Sequence, residues 1–102
     1  MTIKLYVDDE RPCPDGWVLA RTYVAAIAHI DGRRVGVISL DHDLGEDKTG
    51  YDIVCYIERM VHDDSGYHPP IMRVHSANPV GRANIERVIA AINRRLENEG
   101  DE

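Results

Sequence analysis

The apolar run Val37-Ile38-Ser39-Leu40 ends directly on Asp41-His42-Asp43-Leu44-Gly45. Four to eight mostly apolar residues closed by a turn signal describe a strand buried within a parallel sheet. In an open α/β sheet, ligands bind beyond the carboxyl ends of the strands. A buried strand that ends in two carboxylates and an imidazole is therefore a candidate active site. Two other stretches end the same way: Ile3-Lys4-Leu5-Tyr6-Val7 runs into Asp8-Asp9-Glu10, and Ile71-Met72-Arg73-Val74 runs into His75-Ser76-Ala77-Asn78. Three neighbouring parallel strands of this kind would bring their polar ends to one cleft.

The intervening segments fit that arrangement. Residues 2–7 form the first expected strand. Residues 8–17, with two prolines and a glycine, form a loop. A short second strand is expected at 18–21. Thr22 suits the N-cap of a helix to about Ile30, which Asp31-Gly32 ends. The central strand covers 35–41, and Gly45 and Gly50 shape the polar loop after it. Over Gly50–Asp63, Ile53, Val54, Ile57, Met60 and Val61 make one apolar helical face. Pro69-Pro70 forbids helix before a strand at 71–76. Asn78 then caps a helix with Pro79 at its first position. Ile85, Val88, Ile89, Ile92 and Leu96 give that helix the cleanest 3.6-residue pattern, and residues 97–102 are expected to fray.

Strands alternating with helices mean an α/β fold with a mainly parallel sheet, here a single domain over residues 1–102. One connection is unusual. About ten residues without helical pattern separate the first two strands, whereas a parallel crossover usually needs a dozen or more. Either the second strand pairs in an uncommon way or it is not a strand.

The 102 residues carry a net charge of −6, which argues against a broad nucleic-acid surface but leaves room for a phosphate held by a few arginines. No run approaches the roughly 18 apolar residues of a membrane span. The first residues lack the charged and apolar regions of a secretory signal. Cys13 and Cys55 are far apart and in no metal-binding spacing. A cytoplasmic protein with reduced thiols is the expectation.

The strand ends Asp8-Asp9-Glu10, Leu40-Asp41 and Ser76-Ala77, with Leu44 and Gly50, resemble the response-regulator receiver domain. That resemblance implies a Mg²⁺ site at Asp8 and Asp9, a phosphoryl-accepting Asp41, and a phosphate contact at Ser76. The helix after the first strand is missing. So is a fifth strand, and with it the lysine that receivers direct at the phosphoryl group. A closer resemblance is to a receiver-like, cyclic-phosphate-processing family, small stand-alone proteins proposed to act on cyclic phosphate ends in RNA repair. It rests on Leu5-Tyr6-Val7-Asp8-Asp9-Glu10-Arg11-Pro12, Gly16-Trp17, Leu40-Asp41-His42-Asp43-Leu44-Gly45 with Thr49-Gly50-Tyr51-Asp52, and His75-Ser76-Ala77-Asn78-Pro79 with Gly81. The expected architecture is a three-layer, flavodoxin-like parallel sheet of about four strands with flanking helices, without the first helix and fifth strand of receivers.

Each candidate residue has a chemical reason and a plainer alternative. Asp8, Asp9 and Asp41 would repel one another unless a divalent cation, Mg²⁺ or Mn²⁺, bridges them; the alternative is solvated acids paired with Arg11 or Lys48. His42 and His75 can exchange protons near neutral pH, as opening a cyclic phosphate requires, and Asp41 is either a ligand or a nucleophile; the alternative for both histidines is structural. Ser76 and Asn78 can donate to phosphate oxygens, although an N-cap explains Asn78 equally well. Arg11 and Arg82 can replace the missing lysine, or can simply make surface ion pairs. Trp17 can stack on a base or plug the gap left by the absent helix. His29, His62 and His68 are ordinary surface residues.

Two functions follow. The first is a metal-dependent phosphoesterase acting on a cyclic or terminal phosphate of RNA or a nucleotide. The second is a stand-alone receiver-like module that binds metal or phosphate at Asp41 and signals to a protein partner. A third reading, a purely protein-binding domain whose acids hold nothing, predicts no response to divalent ions.

Overall fold

The computed structural model describes residues 2–100. It contains β1 (Ile3–Val7), β2 (Val18–Ala20), α1 (Tyr23–Asp31), β3 (Val35–Leu40), α2 (Gly50–Asp63), β4 (Ile71–Val74) and α3 (Pro79–Gly100). The four strands are all parallel, in the order β2-β1-β3-β4. The α/β receiver-like sheet is therefore present. Among the described residues there is no helix between β1 and β2 and no fifth strand.

The register aligns the strand ends. Ala20, Val7, Leu40 and Val74 form one row across the sheet. The ladder continues for one further bond on each side of β3, with Asp41 N donating to Val7 O at 2.9 Å and His75 N to Leu40 O at 2.9 Å. The next row is thus Arg21, Asp8, Asp41 and His75. Side chains alternate between the faces of a strand. Leu5, Val7, Ile38 and Leu40 point to one face and are fully buried. Tyr6 and Ser39 point to the other, as do Asp8, Asp41 and His75 by the same alternation.

The helices form where the apolar spacing predicts. Thr22 caps α1 through its hydroxyl, which accepts from Ala25 N. Asn78 caps α3, its Oδ1 accepting from Gly81 N at 3.0 Å. Ile53, Val54, Ile57 and Val61 of α2 join Ala26 and Ile30 of α1 and Ile85 and Ile92 of α3 in a core with the sheet. α1 and α2 share one core with the sheet and so lie on the same face, as the general preference for right-handed crossovers requires for this strand order, and α3 packs beside α2. The expected third layer is accordingly not helical. On the opposite face the 8–17 loop lies over part of the sheet, in the place of the absent first helix. Trp17 fills the gap, meeting Tyr6 edge-on at 6.1 Å with Lys4 over its ring.

Several boundaries differ from expectation. β4 stops at Val74, because the hydroxyl of Ser76 already accepts from Asn78 N and turns the chain. α3 continues through Gly100 instead of fraying after Leu96; Asp101 and Glu102 lie outside the described residues. The β1–β2 connection does form a parallel pair without a helix. It can do so because Arg21 donates to the carbonyls of Asp8 and Arg11, drawing the loop back against the start of α1.

The linker before β4 is anchored by Tyr67, which is buried with Arg33 over its ring. Burial pushes the Tyr67 phenol up to about 12. The fold favours the neutral phenol, so this stability is intact below the unfolded value of about 10 and is lost as pH rises towards 12. Ultraviolet titration should show Tyr67 ionising after an ordinary tyrosine. In Tyr67→Phe that late transition, and the alkaline loss of stability tied to it, should disappear.

Candidate active site

The site begins with Asp8, whose residue is 0% exposed. A buried carboxylate needs partners for its lone pairs. Oδ1 accepts from the backbone N–H groups of Glu10 and Arg11, both at 2.8 Å. These two bonds turn the chain as it leaves β1. Oδ2 lies 3.0 Å from His75 Nε2 and 3.8 Å from Arg11 Nε. Burial alone would raise the Asp8 pKa, but the Arg11 and Glu10 amides and His75 together outweigh it and hold the carboxyl below its ordinary value.

His75 reaches Asp8 across the intervening β3, passing over Ser39. Its Nδ1 lies 2.7 Å from Ser39 Oγ, and its ring stacks on Tyr6 at 4.3 Å and 5°. An ionised Asp8 accepts only, so His75 donates to it from Nε2, and Nδ1 shares a hydrogen bond with the Ser39 hydroxyl. Both ring nitrogens are thus occupied. Arg11 closes this side, its Nη1 donating to the His75 carbonyl at 2.9 Å.

Asp9 and Asp41 complete an acidic group with Asp8. One ligand atom from each lies within 4.8 Å of the others. The set is all oxygen, which suits a hard cation such as Mg²⁺ or Mn²⁺. Asp41 Oδ1 accepts from the N–H of His42 at 2.8 Å, which fixes the carboxylate at the strand end. The loop that follows is held by buried Leu44 and by Gly50, whose N–H donates to His42 O. Gly45 has φ 68°, and a Cβ there would stand 2.9 Å from Asp9 Oδ2. Only glycine meets both the left-handed backbone and the close approach of Asp9.

These residues enclose a cleft of about 380 Å³, lined by Asp8, Asp9, Arg11, Asp41, Asp43 and Asn78 among others. Neither candidate histidine lines it. His42 lies against Gly81 at the start of α3, where any side chain would collide with the imidazole. Its Nδ1 bonds Asp43 Oδ1 at 3.0 Å, and Asp43 Oδ2 accepts from Asn78 Nδ2 at 3.3 Å. His42 and Asn78 together hold the Asp43 carboxyl below its usual range. Ser76 is buried below Asn78.

Arg82 is not brought into the cleft. It lies in the groove between β4 and α3 with Met72 and Ile89, and donates to Glu86 one turn on at 2.7 Å. Its position in the first turn suggested the cleft, but i to i+4 pairing on the outer face of the helix turns it away. Two contributors went unrecognised in the sequence. Ser39, inside an apolar strand, looks like filler, and Tyr6 looks like core. Period-2 alternation from Asp41 and Asp8 puts both on the face that carries the acids.

A family model described as the cyclic-phosphate processing receiver domain matches residues 3–91. No curated protein and no solved structure matches the chain significantly. Among the described residues no helix is long and apolar enough to cross a membrane.

The lowered Asp8 pKa has a sign that can be checked. The native state favours the carboxylate, so the stabilisation is complete above the unfolded value of about 3.9 and disappears as pH falls through the native value. Thermal melts from neutral to acid pH should fall steeply in that range for the native protein. Asp8→Asn should melt lower at neutral pH and show a shallower acid limb.

Proposed function

The chain belongs to the cyclic-phosphate processing receiver domains, and we propose that it is a metal-dependent phosphoesterase that opens a cyclic phosphate, or acts on a terminal one, at the strand-end cleft. The observation that carries this reading is the row Asp8–Asp41–His75, with Asp9 beside it and Arg11 arched over one end. Asp8, Asp9 and Asp41 would hold a divalent cation. Such an ion offsets the charge of the carboxylates and draws electron density from phosphate oxygens.

The remaining roles belong to side chains around the acids. Arg11 and the amide of Asn78 face the cleft with N–H groups suited to phosphate oxygens. Ser76 stands behind Asn78. Opening a 2′,3′-cyclic phosphate consumes one water: a P–O bond to the water oxygen forms and one ring P–O bond breaks. The water loses a proton, which Asp41 would take up and return to the released ribose oxygen, so that the protons balance. In this reading His75 and His42 act through the acids they hold, Asp8 and Asp43, rather than on the substrate directly. The substrate class is a nucleotide or RNA end bearing the phosphate.

A second reading is favoured by one feature. The cleft lining contains carboxylates, Arg11 and Asn78 but no imidazole. That composition suits phosphoryl transfer to Asp41 in a regulatory module that signals to a protein partner. Incubation with acetyl phosphate and Mg²⁺ would then add one phosphoryl mass, lost in Asp41→Asn.

The principal test is an RNA oligonucleotide ending in a 2′,3′-cyclic phosphate, incubated with Mn²⁺ or Mg²⁺ and separately with chelator. Ring opening is expected with metal only. Asp41→Asn should lower it at least about 100-fold while leaving the thermal midpoint within a few degrees, the scale of an essential group in proton transfer. Undiminished turnover in Asp41→Asn would refute the assignment, and its complete absence in folded wild-type protein would favour the phosphoryl-acceptor module.

A further inference from the structure

The Ser39 hydroxyl is placed beneath the His75 ring. It is 8% exposed and lies 2.7 Å from Nδ1, while Asp8 takes Nε2 at 3.0 Å and Tyr6 takes the ring face at 4.3 Å. We infer that Ser39, acting through His75, is the positioning residue that sets how Asp8 presents its carboxylate to the cleft. This rests on the reading that Asp8 is a cation ligand.

The lone pairs of Asp8 explain why orientation matters. Each carboxylate oxygen accepts in two directions. Both directions at Oδ1 are taken by the Glu10 and Arg11 amides. One direction at Oδ2 is taken by His75. The other direction at Oδ2 has only Arg11 Nε nearby, at 3.8 Å, and the His75 ring, with the two amides, sets where it points. The ring crosses a whole strand to reach Asp8, so its own placement must be fixed from below. Tyr6 sets the ring plane and Asp8 holds Nε2, and the hydrogen bond at Nδ1 adds a third fixed point on the opposite edge of the ring. Serine suits the position on two counts: it is small enough for the ring to pass over β3, and its hydroxyl can pair with Nδ1 as donor or acceptor. Partners behind a metal ligand commonly change affinity 10- to 100-fold when removed.

The test compares wild type, Ser39→Ala and Ser39→Thr, with two separate readings. The first is the ¹⁵N resonance of His75 Nδ1 in metal-free protein, at a pH where the ring is neutral. The second is Mn²⁺ affinity by calorimetry, with thermal melting to show that each variant is folded. In Ser39→Ala, Nδ1 should move to the position of an unbonded ring nitrogen, and Mn²⁺ affinity should fall about 10-fold. Ser39→Thr, which keeps the hydroxyl, should restore both. An unchanged Nδ1 signal or unchanged affinity in Ser39→Ala would overturn the inference, as would a folded Ser39→Thr that behaves like alanine. If wild-type protein binds no Mn²⁺, the cation reading of the cleft fails on its own. The Nδ1 signals then decide whether Ser39 holds His75, and their constancy in Ser39→Ala would overturn that too.

Discussion

The burial of Asp8 is the constraint on which the rest of this structure depends. A carboxylate withdrawn from water is tolerated only when its oxygens are satisfied, and removing one partner of such a buried pair typically costs about 3–5 kcal/mol. Here the partners come from opposite ends of the chain. Two amides of the next residues turn the backbone out of β1, and His75 arrives from β4, 67 positions later. The same atoms that make Asp8 acceptable in the interior therefore set the path of the 8–17 loop and the seating of β4. Arg11 repeats the connection one layer outward by donating to the His75 carbonyl.

That loop also resolves the topological oddity. A parallel neighbour reached without a helix must be led back along the sheet by other means. Arg21 does this by bonding the carbonyls of Asp8 and Arg11, while Trp17 covers Tyr6 on the face that a receiver helix would otherwise occupy. Structure and site are not separable in this segment. Asp8, Asp9 and Arg11 belong to the crossover itself, so the connection that completes the sheet also supplies much of the cleft.

Much of this was legible in the sequence, for a physical reason. Strand ends are marked by an abrupt change from apolar to charged residues, and parallel strands bring like ends together, so Asp8, Asp41 and His75 could be assigned to one edge without coordinates. Helix positions followed from the 3.6-residue spacing of Ile53, Ile57, Ile85 and Ile92. The orientation of individual side chains was not legible. His42 and His75 each adjoin the edge, but which way an imidazole turns depends on partners distant in sequence: Gly81 and Asp43 for one, Ser39, Tyr6 and Asp8 for the other. For Arg82 the partner that decides is Glu86, one turn along the helix. The single-sided placement of the helices depends on the direction of each crossover, and hence on strand order, which periodicity does not reveal.

The span between Asp8 and His75 bears on how the chain reaches its native state. β1 can pair with β2 and β3 using residues near the start of the sequence, but until β4 docks, the Asp8 carboxylate has only local partners, two amides and Arg11. A partly assembled sheet would have to leave that charge in water and so keep the end of β1 open. Completion of the last strand and closure of the first are thereby linked events. Long-range pairings of this kind are the contacts that slow folding in general. The innermost carboxylate of the acidic cleft, at the end of β1, gains its His75 partner only when β4 is in place two strands away.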